Sequence, residues 1–358
     1  MSEDIKAYLE RKKPLIDSII EKYFPRDPDS NYLEWAFGKP RYAYDVNTVK
    51  KSLTEPIWNF LDRGGKRWRP ALFLLISEIL GADLEKVKDF AILPELAHNG
   101  SIIIDDIEDS GELRRGKPCT YLIYGIDVSI NAGNFLYFLP LLVFKNNRQN
   151  FDKETLVRAY EVYAQEMINI HIGQAMDIWW HKGKAENITE EQYLQMCAYK
   201  TGTLARLSAR LAVVLSQGSK KQEEKLGRVA ESIGVGFQIQ DDVLDVTTTG
   251  KEREAFGKSF GNDIKEGKRT LMVIHALKHA TETDRNRLIE ILNSHTSDVD
   301  KIQEAINILH RYGSVEYAKS KAREIVKQSW SEADPLLPDC NAKRILKSFV
   351  NFLIERKF

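Results

Sequence analysis

Two acidic clusters are the residues of this sequence best suited to chemistry. The first, DDIED, contains Asp105, Asp106, Glu108 and Asp109, and the second, DDVLD, contains Asp241, Asp242 and Asp245. In each cluster the first and last aspartates are four residues apart, so on a helix their carboxylates share one face. Like charges at that spacing repel each other, and a cation between them converts the repulsion into binding. Carboxylate oxygens suit Mg²⁺, which completes its octahedron with water and substrate phosphates.

A single cluster of this kind is equally well explained as the solvated acidic end of a helix, because short motifs produce false matches. Here the motif occurs twice. Each copy follows an apolar stretch, SIII at 101–104 and GVGFQIQ at 234–240. The apolar flanks predict that the acids lie at the mouth of a buried cavity and not on an open surface.

Four basic runs accompany the acidic clusters. They are GGKRWRP at 64–70 with Lys66, Arg67 and Arg69, ELRRGKP at 112–118 with Arg114 and Arg115, YKTG at 199–202 with Lys200, and FGKSFGNDIKEGKRT at 256–270 with Lys258 and Lys268. Taken singly, each run is more often a solvated face. Together with metal-binding acids, they would supply the hydrogen-bond donors that a diphosphate needs for the oxygens that metals leave uncovered.

Helical periodicity dominates the rest of the chain, and period-two alternation is absent, so we predict an all-α fold. Helical segments are expected near 5–23, 50–62, 69–80, 85–108, 129–145, 153–180, 190–217, 220–246, 269–279, 283–293, 298–311, 313–332 and 341–356. The Pro- and aromatic-rich stretch 25–45 breaks this periodicity and is too apolar for a disordered linker. We expect one domain over 1–358, with an N-terminal helix and an ordered insert at about 1–50.

Composition excludes several classes of protein. The chain has 52 basic and 52 acidic residues, which gives no support to a nucleic-acid binder. Cys119, Cys197 and Cys340 have neither metal-ligand spacing nor a disulfide pattern, so a reducing cytoplasm fits best. The apolar run 135–144 is about half of the ~20 residues that a membrane span requires. We therefore expect a soluble, cytoplasmic protein without a transmembrane segment.

These motifs, in this order, resemble the head-to-tail trans-isoprenyl diphosphate synthases over residues 55–357. GGKRWRP resembles the GGKRxRP block of that family, and DDIEDSGELRRGKP resembles its first aspartate-rich motif. GQAMD at 173–177, KTG at 200–202 and the stretch 237–270 resemble the remaining blocks. The segment 98–138 is especially similar to geranylgeranyl diphosphate synthases.

The resemblance implies a bundle of antiparallel helices around a deep central cavity, with both aspartate motifs at its mouth. It implies Mg²⁺-assisted condensation of isopentenyl diphosphate with allylic diphosphates (dimethylallyl, geranyl or farnesyl), with three Mg²⁺ in each substrate-bound active site. It also implies a homodimer, and we expect the segment 135–144 at or near the interface.

The resemblance assigns roles residue by residue. Asp105, Asp109 and Asp241 should bind Mg²⁺ directly and Asp245 through water, with support from Asp106, Gln174 and Asp177. Arg114, Lys200 and Lys258 should hold the allylic diphosphate. Lys66, Arg69, His98 and Arg115 should bind isopentenyl diphosphate, Phe237 should pack on its hydrocarbon part, and Lys268 belongs to the substrate-binding set. Thr201 and Gln238 should face the developing carbocation. Outside this register, His98 or Gln238 would be an ordinary hydrogen-bonded polar residue.

Product length is the least determined property. Gly100, next to Ser101 and five residues before Asp105, should leave the upper wall of the cavity open. Tyr137, Phe138 and His171 match a deeper floor in the family, although on composition alone they are equally well explained as core residues. The balance favours geranylgeranyl diphosphate, with farnesyl or longer polyprenyl diphosphates as the alternatives.

Two rival functions share parts of the pattern. Terpene cyclases share the fold and the first motif, but their second motif usually reads Asn/Asp, Ser/Thr, Glu, which DDVLD does not match. A non-catalytic subunit of a heteromeric prenyltransferase usually lacks one aspartate motif, and both are intact here.

Overall fold

The protein is all-helical, as the sequence predicts. The structure, a computed structural model, describes residues 4–183, 187–248 and 261–355. It is 78% helical, and the strands in its described part form one two-stranded hairpin. All three cysteines are free thiols.

The helices follow one another with short connections. In the first part of the chain they are α1 (Ile5–Tyr23), α2 (Ser30–Phe37), α3 (Val46–Val49), α4 (Glu55–Leu61), α5 (Trp68–Ile79), α6 (Leu84–Val87), α7 (Ile92–Glu108), α8 (Thr120–Tyr124), α9 (Ile126–Phe138) and α10 (Leu141–Asn147). Between α7 and α8 the strands β1 (Leu113–Arg114) and β2 (Lys117–Pro118) pair antiparallel.

The second part of the chain is built in the same way. Its helices are α11 (Lys153–His181), α12 (Glu190–Cys197), α13 (Thr203–Leu215), α14 (Lys220–Thr247), α15 (Asn262–Lys265), α16 (Leu271–His279), α17 (Glu282–Asn293), α18 (Val299–Arg311), α19 (Ser314–Ala333) and α20 (Asn341–Glu355). The chain also has π-helical turns at Lys50–Thr54 and Ala198–Gly202 and 3₁₀ turns at Lys88–Ala91 and Asp334–Leu336.

Several of the predicted helices are interrupted, and 129–145, for example, is divided between α9 and α10. The segment 85–108 contains the 3₁₀ turn Lys88–Ala91, and the segment 190–217 contains the π-helical turn Ala198–Gly202. Apolar periodicity does not identify such turns, because each is only about one turn long and too short to show a period of its own.

The chain forms two compact units. The first contains Met1–Ala164, Leu207–Glu224 and Leu337–Ser348, and the second contains Gln165–Arg206, Lys225–Leu336 and Phe349–Phe358. The single domain expected from the sequence remains a prediction.

The first unit is built around α1, α5, α7 and α9, whose apolar side chains form its core. Ile16, Phe73, Leu96 and Leu136 are fully buried. Each such side chain contributes about 1.5–3 kcal/mol through removal of its apolar surface from water. This core holds α7, which carries the first acidic cluster, against α5 and α9.

Two glycines let α7 and α9 approach each other closely. A Cβ atom at Gly100 would lie 2.7 Å from the carbonyl oxygen of Gly133 and 2.9 Å from the Cβ of Leu136. A Cβ atom at Gly133 would lie 2.8 Å from the Cδ1 of Ile104. Any side chain at either position would push the two helices apart.

The insert at 25–45 packs on the first unit, as expected of an ordered segment, and it contains a helix that periodicity did not predict. Leu33 of α2 is buried, and the Tyr32 hydroxyl donates to the carbonyl of Tyr23 at 2.6 Å. The ring of Phe37 lies 6.0 Å from that of Phe135. The helix is short because prolines and Gly38 flank it.

The second unit has its own core, formed by α12, α14, α16, α17, α18 and α19. Tyr193, Val243, Val273, Leu288 and Leu309 are among its buried residues. This core holds the stretch of α14 that carries the second acidic cluster.

One stretch of the described chain, Ile126–Asn147, is long and apolar enough to cross a membrane by length and composition, and 39% of its most apolar window is buried. The uninterrupted apolar run within it is only 135–144, because polar residues such as Asn131 and Asn134 interrupt the part before it. Core helices of soluble proteins have the same composition, so the stretch by itself assigns no membrane span.

Candidate active site

The first acidic cluster lies at the C-terminal end of α7. Asp105 and Asp106 belong to the last turn of the helix, and Asp109 caps it. The Asp105 side chain is 23% exposed, whereas Asp106 is buried. A helix C-terminus carries partial negative charge, so three carboxylates there repel the helix as well as each other. This position therefore favours a bound cation.

Arg114 supplies part of the positive charge. Its Nε and Nη2 lie 2.8 and 2.6 Å from one oxygen of Asp106, and Nη2 lies 4.0 Å from Asp105. Burial raises the pKa of Asp106, and the charge of Arg114 opposes that shift. The buried Asp106 thus orients Arg114, and Asp105 remains the more exposed of the two carboxylates.

The hairpin that follows α7 determines where Arg114 and Arg115 lie. Arg114 pairs with Lys117, which leaves Arg115 and Gly116 as a two-residue turn. Both turn residues have positive φ, 53° and 73°, as a type I′ turn requires. Arg63 donates to the carbonyl of Pro118 at 2.9 Å and fixes the hairpin to the end of α4.

A basic group, also in the first unit, consists of the two arginines Arg69 and Arg115 and the histidine His98. Arg69 is only 8% exposed, and its Nε is buried without a hydrogen-bond partner. Burial lowers the pKa of Arg69 to about 10. Burial, followed by the charges of Arg69, Arg115, Arg114 and Arg67, lowers the pKa of His98 well below 6.5. A buried cation without an acceptor is costly, so this group favours an anion.

The basic run 64–70 contains residues with different roles. Lys66 is exposed, whereas Arg67 is buried and pairs with Asp17 and Glu95, each at 2.9 Å. The sequence places Lys66, Arg67 and Arg69 in one motif, and its two ion pairs distinguish the structural Arg67 from the two predicted ligands.

In the second unit, the π-helical turn Ala198–Gly202 carries Lys200 and Thr201. The Lys200 ammonium lies 2.5 Å from the carboxylate of the buried Asp177 on α11. A Cβ atom at Gly173 would lie 2.3 Å from the backbone nitrogen of Lys200, so only glycine lets α11 approach the turn this closely. Gly173 therefore lets Asp177, a predicted metal-supporting residue, lie next to Lys200, a predicted ligand of the diphosphate.

A chain of hydrogen bonds connects Thr201 to the second acidic cluster. The Thr201 hydroxyl donates to Gln238 at 2.9 Å, and the Gln238 amide donates to Asp242 at 2.8 Å. The other oxygen of Asp242 accepts from the Tyr193 hydroxyl at 2.7 Å. No motif in the sequence points to Tyr193. It lies seven residues before Lys200, and its hydrogen-bond partner Asp242 is 49 positions away.

The acids of the second cluster lie in unlike environments. Asp241 is half-buried, whereas Asp242 and Asp245 are buried. The two oxygens of Asp245 accept from the backbone N–H groups of Asn262 at 3.2 Å and Asp263 at 3.0 Å. Burial and the nearby Asp263 raise the pKa of Asp242. Asp241 is thus the cluster's most accessible carboxylate, and Asp245 stabilises the start of α15.

The remaining predicted ligands are less clearly placed. Lys268 pairs with Glu266 at 2.6 Å and with Asp263 at 3.4 Å. Gln174 and Phe237 are half-buried residues of α11 and α14. Lys258 lies outside the described residues.

The predicted product-length residues require corrections. Gly100 does not leave an open wall, because α9 fills the space beside it and Tyr137 Cε1 would lie 3.2 Å from an added Cβ. Ser101 donates to the carbonyl of His98 at 2.9 Å. Phe138 is 68% exposed and His171 is exposed, so neither is a buried floor residue within the described chain. Alignment with the family motifs predicted that these residues form the floor of the cavity, but the sequence does not show which side chains are buried.

The oxygen atoms of the candidate metal ligands suit a hard divalent metal ion. The candidate ligands Asp105, Asp109 and Asp241 offer carboxylate oxygens, which Mg²⁺ prefers. Within residues 4–183, 187–248 and 261–355, no group of three acidic, histidine or cysteine side chains could hold a metal ion. An ion bound at either acidic cluster would therefore need oxygens from water and substrate to complete its coordination.

Comparisons with known proteins agree on one family. The sequence pattern of the polyprenyl synthetase family matches residues 50–309. A short chain isoprenyl diphosphate synthase of Methanothermobacter thermautotrophicus is 36% identical over 299 residues, 84% of this chain and 89% of the relative. A geranylgeranyl pyrophosphate synthase of Geoglobus acetivorans is 33% identical over 298 residues, 83% and 89% of the two chains. The crystal structure of geranylgeranyl pyrophosphate synthetase from Pyrococcus horikoshii matches with a TM-score of 0.84 at 30% identity, over 98% of both chains.

The lowered pKa of His98 predicts how stability depends on pH. The unfolded chain takes up a proton on this histidine near pH 6.5, whereas the folded chain does so only at lower pH. Folding stability is therefore lost as the pH falls below about 6.5. Thermal unfolding between pH 7.5 and 5.5 should show a steeper loss in the wild type than in His98→Gln. His310→Gln, at an exposed position, is the control and should follow the wild type. Parallel curves for wild type and His98→Gln would contradict the prediction.

Proposed function

The chain belongs to the polyprenyl synthetase family and is an isoprenyl diphosphate synthase, and we propose that it joins isopentenyl diphosphate head to tail to dimethylallyl, geranyl and farnesyl diphosphates. The observation that carries this proposal is the basic group of Arg69, His98 and Arg115, in which the buried guanidinium of Arg69 has an Nε without a hydrogen-bond partner and therefore suits a diphosphate oxygen. The proposed location is the cytoplasm, where free cysteines remain reduced.

The family uses a divalent metal for catalysis, and the metal proposed for this chain is Mg²⁺, three ions per substrate-bound site. Asp105, Asp109 and Asp241 are its proposed ligands, with Asp245 acting through water. Asp106, Gln174 and Asp177 support them, and the contact of Asp106 with Arg114 is consistent with an orienting role. When bound, Mg²⁺ would neutralise charge on the leaving diphosphate.

The proposed anion ligands divide between the two substrates. Lys66, Arg69, His98 and Arg115 bind isopentenyl diphosphate, and Phe237 packs on its hydrocarbon part. The depressed pKa keeps His98 neutral at pH 7, so it donates one hydrogen bond without adding charge. Arg114, Lys200 and Lys258 hold the allylic diphosphate, and Lys268 completes the substrate-binding set.

Catalysis then depends on stabilising separated charges. Donors from Arg114 and Lys200 stabilise the diphosphate as the allylic C–O bond breaks, since preorganised donors act most strongly on charge that develops in the transition state. Oxygens of Thr201 and Gln238 face the carbocation, and their hydrogen bond to each other fixes their orientation. The double bond of isopentenyl diphosphate attacks the cation, and the released diphosphate accepts the proton.

Loss of either acidic cluster should abolish turnover. We expect Asp105→Ala and Asp241→Ala to be inactive at saturating Mg²⁺ yet to keep the wild-type circular dichroism, since each removes a half-buried carboxylate and not a core contact. Turnover is measured with labelled isopentenyl diphosphate and an allylic primer. Glu112→Ala, an exposed acid near the first cluster, is the control and should keep full activity. Near-normal turnover in both aspartate variants would overturn the metal assignment.

The proposed product is geranylgeranyl diphosphate, with Tyr137 as the residue that limits its length. Tyr137 is half-buried and lies against Gly100, whereas Phe138 points largely to solvent. A growing prenyl tail that meets Tyr137 would lose about 0.8 kcal/mol for each methylene it cannot bury.

Truncation of Tyr137 should therefore lengthen the product, and truncation of its neighbour should not. Mass spectrometry of dephosphorylated products should show longer chains for Tyr137→Ala and wild-type chains for Phe138→Ala. Unchanged lengths in Tyr137→Ala would remove this residue from the wall. A wild type that makes chiefly thirty-carbon chains would contradict the proposed product.

The proposed assembly is a homodimer. Ile126, Ile130 and Phe138 are exposed apolar residues of α9 spaced at multiples of four. At that spacing they form one stripe on the helical surface. The stripe extends the expected interface toward the N-terminus, because the segment 135–144 exposes only Phe138 among its large apolar residues.

A charge in the middle of this stripe should separate the subunits. We expect Ile130→Glu to sediment as a monomer at micromolar concentration, because a buried carboxylate without a partner is strongly unfavourable. Val299→Glu replaces an equally apolar, exposed residue on α18 and should remain dimeric. A wild-type monomer under these conditions would refute the dimer itself.

A further inference from the structure

Arg115 is connected to the N-terminal helix α1 by a continuous series of polar contacts. Its Nη2 donates to the side-chain oxygen of Asn99 at 3.4 Å, and the Asn99 amide donates to Glu95 at 3.0 Å. Glu95 accepts from Arg67 at 2.9 Å, and Arg67 donates to Asp17 of α1 at 2.9 Å. Four contacts thus link residues that are 98 positions apart in sequence (17 to 115).

The middle of this series is buried and therefore rigid. Arg67, Glu95 and Asn99 are each no more than 5% exposed. Asn99 is further restrained because its amide also donates to the backbone carbonyl of Glu95 at 2.7 Å. Buried polar groups that have all their partners specify one arrangement, since any alternative leaves one of them unsatisfied.

Glu95 is the negative charge common to the three arginines of this region. Its charge favours the protonated forms of Arg67, Arg69 and Arg115. Without Glu95, the mutual repulsion of these arginines would no longer be offset. The position of Glu95 is in turn determined by Arg67 and Asn99.

The guanidinium of Arg115 is restrained on three sides. Nη1 donates to the carbonyl of Gly64 at 2.6 Å, Nη2 reaches Asn99, and the group lies 4.9 Å from the centre of the Phe60 ring. Two of the five N–H groups are used in these contacts, and the others remain for an oxyanion. The contact with Asn99 is long, so its role is to limit rotation of the guanidinium and not to neutralise it.

We propose that Asn99 is a positioning residue for Arg115, and that Asp17 of α1 supports it through Arg67 and Glu95. Docking of α1, which precedes the residues 50–309 that match the family pattern, would thereby tune the affinity for isopentenyl diphosphate. The inference rests on the proposed role of Arg115 as a ligand of that substrate.

The direct test compares Asn99→Ala, Arg115→Ala and the double variant in steady-state kinetics. Asn99→Ala should raise the KM for isopentenyl diphosphate about tenfold, with little change in the KM for the allylic substrate, because a hydrogen bond to a charged group is lost. In the Arg115→Ala background the same substitution should add little, since the residue it positions is gone. A purely structural role of Asn99 would instead change both KM values or kcat and would persist in the double variant.

The contribution of α1 is tested with a matched pair of variants. Asp17→Ala removes the contact with Arg67, and Lys12→Ala removes a different α1 ion pair, with Glu78 at 2.6 Å. Asp17→Ala should raise the KM for isopentenyl diphosphate about threefold, as expected for a partly exposed ion pair. Lys12→Ala should leave that KM unchanged even where thermal unfolding shows a loss of stability. Equal effects of the two variants on KM would reduce the role of α1 to general stability and overturn this part of the inference.

The outcomes separate this inference from the proposed function. If Arg115→Ala leaves the KM for isopentenyl diphosphate unchanged, the assignment of Arg115 as a ligand is wrong. If Arg115→Ala raises that KM and Asn99→Ala does not, the ligand assignment stands and the positioning role of Asn99 is wrong.

Discussion

Repulsion between like charges, maintained by burial, is the constraint on which the candidate site depends. Arg69 and Arg115 lie together beside the histidine His98, with Glu95 as the counter-charge that the two arginines share. At the end of α7, acids add to the negative end of the helix dipole. Neither arrangement is favourable by itself, and a protein keeps such groups only where the surrounding fold holds them in place. An ion of opposite charge bound at either group would offset this repulsion. The groups that repel each other in the folded protein are therefore the ones suited to bind an ion.

Close packing of the helices keeps these charged side chains in place. Gly100 and Gly133 bring α7 and α9 together, and Gly173 brings α11 against the turn that carries Lys200. At such crossings backbone meets backbone, so the helices cannot rotate without a steric clash. Side chains of the candidate site that lie on these helices are therefore positioned by rigid elements, and sites built on such elements are more precise than sites on loops.

Buried polar partners refine these positions. Tyr193 orients Asp242 in the second unit, as Asn99 orients Arg115 in the first. Both supporting residues are buried, and neither belongs to an acidic or basic motif. Asp241 and Asp245 also differ in their surroundings. The carboxylate of Asp241 remains accessible, whereas that of Asp245 accepts hydrogen bonds from backbone N–H groups.

The sequence by itself determined the helical class, the family and the two charged sets, because periodicity and motif spacing are local properties of the chain. Only the tertiary structure decided what each side chain meets. Gly100 has the small size expected of an open wall, yet α9 fills the space beside it. Phe138 has the size expected of a cavity floor, yet it is exposed. Spacing along a helix determines which residues share a face, whereas the neighbour opposite that face comes from a distant segment, whose position depends on packing of the whole chain.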